Sequence, residues 1–176
     1  STPQGVRDYA ILALMITGGL RTVEVARADV GDLRTVGDDT VLFLQGKGRD
    51  EKTEYVKLSA PVEAAIRAYL KQRGETASTA PLFASMSNNS KGGRMTTRSI
   101  SRIAKDSMIE AGYNSDRLTA HSLRHSAVTL SLLAGRSLEE VQQFARHANI
   151  ATTLIYSHAL DKAKNGCAEA ITSAIF

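Results

Sequence analysis

The sequence has few features of secreted or membrane proteins. Cys167 is the one cysteine among 176 residues, which excludes an internal disulfide and favours a reducing, cytoplasmic compartment. The chain shows no signal peptide and no apolar run long enough to span a membrane. Its acidic residues form no cluster typical of a two-metal site, so we expect neither a metal nor another cofactor.

The composition that remains suits one domain with a real core, since 43% of the residues are apolar. The formal charge of +4 and the pI of about 9.3 are compatible with a nucleic-acid partner. Many proteins that never bind nucleic acid have a similar excess of bases, so charge alone decides nothing. Because the chain begins with Ser1 rather than Met, we expect a fragment with a partner domain upstream.

Hydrophobic periodicity predicts a mostly α-helical chain with one small antiparallel sheet (α+β). Alternating apolar residues between turn signals predict three strands, at Leu33–Val36, Thr40–Gln45 and Thr53–Leu58. Helical spacing, caps and glycine stops predict helices from Pro3 to Gly18, a short one capped at Thr22, one over Ser59–Arg73, one from a cap at Thr96 or Thr97 to the Gly112 stop, and two over Thr119–Ala134 and Leu138–Arg146. The polar segment Glu75–Met95 is expected to be a long, flexible loop around a short apolar piece.

The segment Thr119–Leu160 carries all four histidines of the chain. Its first predicted helix places His121, Arg124 and His125 within one turn of each other. A short segment after the next helix carries Tyr156, nine residues beyond His147. Histidine, arginine and tyrosine together suit a reaction on a phosphodiester, which needs a nucleophile, donors for the phosphate oxygens and an acid for the leaving oxygen. A phenolate leaves more easily than an alkoxide, so attack by tyrosine would be reversible.

These residues resemble the motifs of the tyrosine recombinase (phage integrase) family. GGLRTVEV at Gly18–Val25 resembles its GLRxxEL box, and GKG at Gly46–Gly48, HSLR at His121–Arg124, RH at Arg146–His147 and Tyr156 follow in the family's order. The resemblance covers nearly all of the chain and implies the family's catalytic-domain fold. It also implies a site-specific recombinase or integrase that cuts and rejoins double-stranded DNA through a covalent 3'-phosphotyrosyl intermediate, without a metal.

The resemblance further implies a role for each motif residue. Arg21, Arg124 and His147 would hold the scissile phosphate, for which the planar fork of arginine is well suited. Glu24 would steady its neighbours, and His125 would support the HSLR box through a hydrogen bond.

The other three roles concern proton transfer and attack. His121 would assist proton transfer, Tyr156 would attack the phosphorus, and Lys47 would protonate the leaving 5' oxygen. Lys52 lies in the same hairpin loop and competes with Lys47 for that role, because only the geometry of the loop separates them.

Further basic residues are candidates for contacts with the DNA backbone, although a solvated loop or helix face is the default expectation for such residues: Lys91, Arg94, Arg98, Arg102 and Arg146. Arg146 stands where many family members have glycine. The DNA sequence that is bound, and the choice between an integrase of a mobile element and a resolvase of chromosome dimers, stay open.

Two other classes of function remain as alternatives. The helices on either side of Gly135 also fit a helix-turn-helix module without chemistry, although such a module needs neither Arg21 nor Lys47. An interaction scaffold unrelated to nucleic acid would leave the ordered basic residues unexplained.

The end of the chain and its partners are predicted from the same resemblance. Residues 160–176 are expected to contain a polar hinge, Asp161–Asn165, and a small-residue helix with an apolar face. That helix could dock on its own domain or on a neighbouring protomer. The resemblance implies an N-terminal DNA-binding domain outside this chain and a homo-oligomer on DNA, most simply a tetrameric synapse.

Overall fold

The protein forms two compact units, Ser1–Ala127 and Val128–Phe176, in a computed structural model. The structure describes residues 2–45, 48, 50–147, 150–163, 171 and 174–175. None of the helices in these ranges is long and apolar enough to cross a membrane. The mostly α-helical class with one three-stranded antiparallel sheet, predicted above, is confirmed.

Unit 1 contains helices α1 to α4, the sheet and the first half of α5. The helices span Pro3–Gly18 (α1), Thr22–Arg27 (α2), Ala60–Arg73 (α3), Thr97–Glu110 (α4) and Ala120–Leu133 (α5). Helix α1 begins where the Thr2 side chain accepts a hydrogen bond from the Gly5 amide at 3.1 Å, and it ends at Gly19 in the left-handed region, with φ of 62°. Its inner face is fully buried and packs against α3 and α4. Glycine at the end of α1 allows the sharp turn that leads into α2.

The sheet is a meander of strands β1 (Leu33–Val36), β2 (Asp39–Leu44) and β3 (Glu54–Lys57) in the order β1-β2-β3. The central strand is antiparallel to both neighbours, and Leu42 pairs with Leu33 on one side and with Val56 on the other. Predicted and observed strand ends differ by no more than one residue. The turn signals therefore located this small sheet in the sequence.

The polar segment after α3 is more packed than the sequence predicted. Leu82, Phe83 and Ala84 are buried, and the Ala84 amide donates a hydrogen bond to the Tyr69 hydroxyl at 3.0 Å. Isolated antiparallel bridges join Asp29 to Pro81 and Ala84 to Arg94. These contacts satisfy backbone groups and bury apolar surface, so the loop is anchored at its apolar piece, while residues 75–79 and 87–94 are exposed as expected.

Unit 2 contains the end of α5, α6 (Leu138–Ala145) and α7 (Ile150–Ala163). The Ser137 side chain caps α6 by accepting a hydrogen bond from the Glu140 amide at 3.1 Å, as the sequence predicted. Helix α7 replaces the short segment predicted around Tyr156. No glycine or proline interrupts residues 150–163, so the helix continues through the first three residues of the predicted hinge.

The predicted tail helix falls mostly outside the described residues. Residues 164–170, 172, 173 and 176, with Cys167 among them, are not part of the described structure. Ile171 and Ile175 are helical, with 59% and 68% of their surfaces exposed.

Candidate active site

Arg21 lies at the start of α2, directly after the turn that ends α1. The buried Glu24 side chain accepts a hydrogen bond from the Arg21 amide at 2.7 Å, and its second oxygen lies 3.8 Å from the Arg21 guanidinium. Glu24 therefore binds both the main chain and the side chain of the arginine. The Arg21 side chain stays 33% exposed, so it is fixed at its base and open to a ligand at its end.

Arg124 reaches the same turn from α5. Its side chain is buried, with 3% of the residue exposed, and its Nη1 donates a hydrogen bond to the Gly19 carbonyl at 2.6 Å. Gly19 is two residues before Arg21. Unit 1 thus brings the two predicted phosphate-binding arginines to one short turn, although they are 103 residues apart in sequence, counting from 21 to 124. A guanidinium anchored on a carbonyl has a fixed plane, which suits recognition of a phosphate.

His121 and His125 lie one turn apart on the exposed side of α5. Their rings meet edge to face, with centroids 4.2 Å apart. Burial, and then the electrostatic effects of the neighbouring His121 and Arg124 side chains, hold the pKa of His125 below its ordinary value of 6.5. His125 is therefore neutral near pH 7 and can support its neighbours only as a neutral donor or acceptor.

The hairpin loop between β2 and β3 carries the two candidate lysines, Lys47 and Lys52. Lys47 lies outside the described residues. The Lys52 ammonium donates to the Arg27 carbonyl at 3.1 Å, to Asp29 at 2.8 Å and to Asp32 at 2.5 Å. With three acceptors and a side chain only 19% exposed, Lys52 is held inside unit 1. This geometry favours a structural role for Lys52.

Arg94 joins the same cluster from the segment before α4. Its Nη1 donates to the Ala26 and Ala28 carbonyls at 3.0 and 3.2 Å, and its Nη2 donates to Asp29 at 2.5 Å. Partial burial raises the pKa of Asp29, but the hydrogen bonds from Lys52 and Arg94 outweigh it and bring this pKa below the ordinary value. The geometry favours an internal role for Arg94 over the predicted contact with DNA.

The other predicted DNA contacts are placed as follows. Lys91, Arg98 and Arg102 are exposed, and Arg102 lies 4.0 Å from Asp106 on the same face of α4. Arg146 ends α6 in the left-handed region with φ of 56°, which side chains rarely adopt, and it donates to the Phe144 carbonyl at 2.7 Å. A role in DNA binding stays a prediction for each of these residues.

His147 and Tyr156 lie together in unit 2. Their rings are nearly parallel, with an interplanar angle of 15° and centroids 6.2 Å apart. The half-buried Tyr156 packs on a cluster formed by Val128, Val141 and Ala145. The nine-residue separation seen in the sequence therefore places the predicted nucleophile beside the predicted phosphate donor.

Two residues that the sequence did not single out hold His147. The ring Nδ1 lies 2.8 Å from the hydroxyl of Thr153, a residue with no exposed surface. Gln142 accepts a hydrogen bond from the His147 amide at 3.1 Å, and its side chain donates to the His147 carbonyl at 3.2 Å. The only sequence signal for Thr153 is its position three residues before Tyr156, which places both on one face of α7.

In the part of the chain that the structure describes, no group of three or more histidine, cysteine or acidic side chains could hold a metal ion. The donors among the predicted site residues are arginine and histidine side chains in unit 1 and the His147 and Tyr156 side chains in unit 2. Such donors bind an anion, and the arginines bind a phosphate best.

Comparison with known proteins identifies the class. The model of the phage integrase family matches residues 1–163, and the chain belongs to this family. It is 35% identical over 154 residues to the tyrosine recombinase XerC of Pelobacter propionicus, covering 88% of this chain and 48% of that protein. The chain thus spans about half the length of such curated relatives.

Solved structures agree on the fold. The crystal structure of XerA recombinase matches with a TM-score of 0.72 and 28% identity, over 88% of this chain and 54% of that one. The XerH site-specific recombinase, in a post-cleavage complex with a palindromic difH substrate, matches with a TM-score of 0.77 over 96% of this chain and 48% of that one. At 24% identity, the second likeness concerns the fold alone.

Proposed function

We propose that this chain is the catalytic domain of a site-specific recombinase that breaks and rejoins double-stranded DNA through a covalent 3'-phosphotyrosyl intermediate. The observation that carries the proposal is the pairing of Tyr156 with His147 in a chain whose family match covers residues 1–163. The names of the relatives, XerC and XerD tyrosine recombinases, support the same activity.

In the cleavage step, the Tyr156 hydroxyl loses its proton with the help of His121 and attacks the phosphorus. The bond from phosphorus to the 5' oxygen breaks, and the Lys47 ammonium protonates that oxygen. Arg21, Arg124 and His147 donate to the other phosphate oxygens, where negative charge develops. Glu24 holds Arg21 in place through the two contacts described above.

In the rejoining step, a DNA 5'-hydroxyl attacks the phosphotyrosyl phosphorus and the Tyr156 oxygen leaves. The number of phosphoester bonds is unchanged, so the cycle needs no energy cofactor. Several donors aimed at one phosphate can supply the stabilisation that a metal gives elsewhere. We therefore expect cleavage to continue in the presence of a chelator.

The role of Tyr156 is tested by covalent capture. The protein is incubated, with chelator present, with a library of nicked duplexes randomised around the nick, and denaturant-resistant protein–DNA adducts are collected. The unaltered chain should form adducts, and Tyr156→Phe should form none while its affinity for duplex DNA stays nearly unchanged, because phenylalanine keeps the packed ring. Adduct formation by Tyr156→Phe would refute the assignment of the nucleophile.

The same capture experiment separates this proposal from a helix-turn-helix module without chemistry. Such a module would bind duplexes and never form an adduct. The comparisons favour the recombinase, because the relatives are named as recombinases over nearly all of this chain.

We also propose that the tail acts between protomers on DNA. The exposed Ile171 and Ile175 would be costly to leave in water, and a neighbouring protomer could cover them. Deleting residues 166–176 should weaken cooperative assembly on DNA, measured by the protein-concentration dependence of gel shifts. If the truncated chain assembles like the full chain, the tail has no such role.

The expected upstream DNA-binding domain is likewise a proposal.

A further inference from the structure

We propose that Thr153 is a positioning residue for His147: its hydroxyl fixes the rotation of the imidazole, so that Nε2 is the nitrogen presented to the scissile phosphate. The proposal rests on the proposed function for its last step, because that function supplies the phosphate. Its first step, the hold on the ring, is a property of the protein alone.

The burial of Thr153 and the distance from its hydroxyl to the His147 ring both indicate that Thr153 holds the ring in place. Thr153 has no exposed surface, and its hydroxyl lies 2.8 Å from His147 Nδ1. A buried hydroxyl loses its hydrogen bonds to water, so this contact strongly determines where the hydroxyl and the ring lie. Rotating the imidazole away would cost the buried Thr153 hydroxyl this hydrogen bond.

The rest of His147 is fixed from two further sides. Its amide and carbonyl both bind Gln142 on α6, which limits movement of the main chain. Its ring faces that of Tyr156, with an interplanar angle of 15°. Thr153 and Tyr156 lie three residues apart on α7, so the same helix carries the predicted nucleophile and the hydroxyl that orients its neighbour.

A hydroxyl suits this task in both charge states of the ring. When the imidazole is neutral, the Thr153 hydroxyl donates to Nδ1 and the ring proton stays on Nε2. When the imidazole is charged, Nδ1 donates its proton to the hydroxyl oxygen and Nε2 again carries a proton. In both states Nε2 can donate to a phosphate oxygen. Valine has the same shape as threonine but can make neither hydrogen bond.

The chain offers a matched control in the preceding residue. Thr152 lies on the same helix and is exposed, so Thr152→Val removes a hydroxyl at equal cost to helix propensity without touching the proposed contact. Thr153→Ser keeps the hydroxyl while removing a methyl group. The three variants separate loss of the hydrogen bond from loss of packing.

The rate of adduct formation on the captured nicked duplex is measured in single turnover for each variant. Thr153→Val should be slower by about 10- to 100-fold, the value of one hydrogen bond to an ionised group. Thr153→Ser should recover most of the rate, and Thr152→Val should match the unaltered chain. In a His147→Ala background, Thr153→Val should cause no further loss, because its effect passes through the histidine. An unchanged rate in Thr153→Val, or full additivity with His147→Ala, overturns the proposal.

A second measurement needs no DNA. In ¹⁵N-labelled protein, with His147 assigned by comparison with His147→Ala, the unaltered chain should show ring nitrogens of one defined tautomer. Thr153→Val should move both resonances toward the averaged values of a free imidazole, and an unchanged spectrum overturns the hold on the ring. If the unaltered chain forms no adduct, the proposed function fails and the spectra alone decide whether Thr153 fixes His147.

Discussion

The two units hold their predicted site residues in different ways. In unit 1, Arg124 is buried against the Gly19 carbonyl, and buried Glu24 binds Arg21 on the same turn, next to an extensive apolar core. In unit 2, Tyr156 rests on a cluster whose buried members, among the described residues, are Val128, Val141 and Ala145. Among the described residues, the two predicted phosphate-binding arginines therefore have a more extensive local scaffold than the predicted nucleophile.

This difference has a physical meaning for catalysis. Donors that stabilise developing charge work best when they need no rearrangement during the reaction, which a large, well-packed core provides. A nucleophile on a small cluster can be displaced at low cost, and displacement of about 1 Å can cost about 100-fold in rate. We expect core variants of unit 1 to act through stability alone, and core variants of unit 2 to act also through the geometry of Tyr156.

The largest expected effects are on the rate of the chemical step. They separate a residue whose loss a better leaving group can compensate from residues whose loss it cannot compensate. Lys47→Ala should slow cleavage by about 10²- to 10⁴-fold, the usual value of a general acid. Replacing the 5' bridging oxygen of the DNA by sulfur, a far better leaving group, should restore cleavage by Lys47→Ala. The same DNA should restore neither Tyr156→Phe nor Arg21→Ala, because a nucleophile and a phosphate donor are still needed. The measurement is the rate of adduct formation on paired oxygen and sulfur substrates.

Lys52→Ala is the matched control for that experiment. Since Lys52 binds Asp29 and Asp32, its loss should lower stability and give no selective rescue by sulfur. Rescue of Lys52→Ala instead of Lys47→Ala would show that Lys52 is the general acid.

A smaller effect is expected when one buried valine in each unit is shortened to alanine. Val141 on α6 and Val62 on α3 are 1% and 2% exposed, so alanine at either position should cost about 2 kcal/mol of unfolding free energy. At a temperature where both variants are folded, Val141→Ala should slow adduct formation by about tenfold, because Tyr156 packs on the cluster to which Val141 belongs. Val62→Ala should keep the original rate. Equal rates in the two variants would remove the proposed difference between the units.

The smallest expected effect is a pH dependence that belongs to unit 1. Partial burial raises the pKa of Asp29, but Lys52 and Arg94 outweigh burial and lower this pKa from 3.8. The folded state therefore binds the Asp29 proton less readily than the unfolded chain does. Its contribution to stability is thus present above pH 3.8 and is lost as the pH falls through the folded value. Urea denaturation from about pH 5 down to about pH 3 should show a steeper loss for the unaltered chain than for Asp29→Asn. Parallel curves would mean that Asp29 contributes nothing.

Much of the fold was predictable because its signals are local. Helix caps at Thr2 and Ser137, the glycine that ends α1, and turn residues around the strands act within a few positions, so they can be read from neighbouring letters. The sequence does not predict the full extent of α7, because the polar residues after Tyr156 have the composition of a hinge. Helical propensity continues there, and nothing in residues 161–163 stops it.

The candidate site was predictable only in its motif residues. Lys52 and Arg94 have the appearance of loop cations in the sequence, yet both are bound to Asp29. Thr153 has no signal that separates it from Thr152, although one is buried against His147 and the other is exposed. The sequence cannot show which of two similar residues faces a partner that lies outside its own helix or loop.

The sequence by itself determined the order of the elements, the three-stranded sheet and the identity of the residues that resemble the family's site. The tertiary structure alone decided that Arg124 would share a turn with Arg21, that Lys52 and Arg94 would be held by a carboxylate, and that Thr153 would bind His147. The reason is physical: periodicity and capping depend on neighbours within one element, whereas burial, ion pairing and ring orientation depend on which other elements fill the same volume.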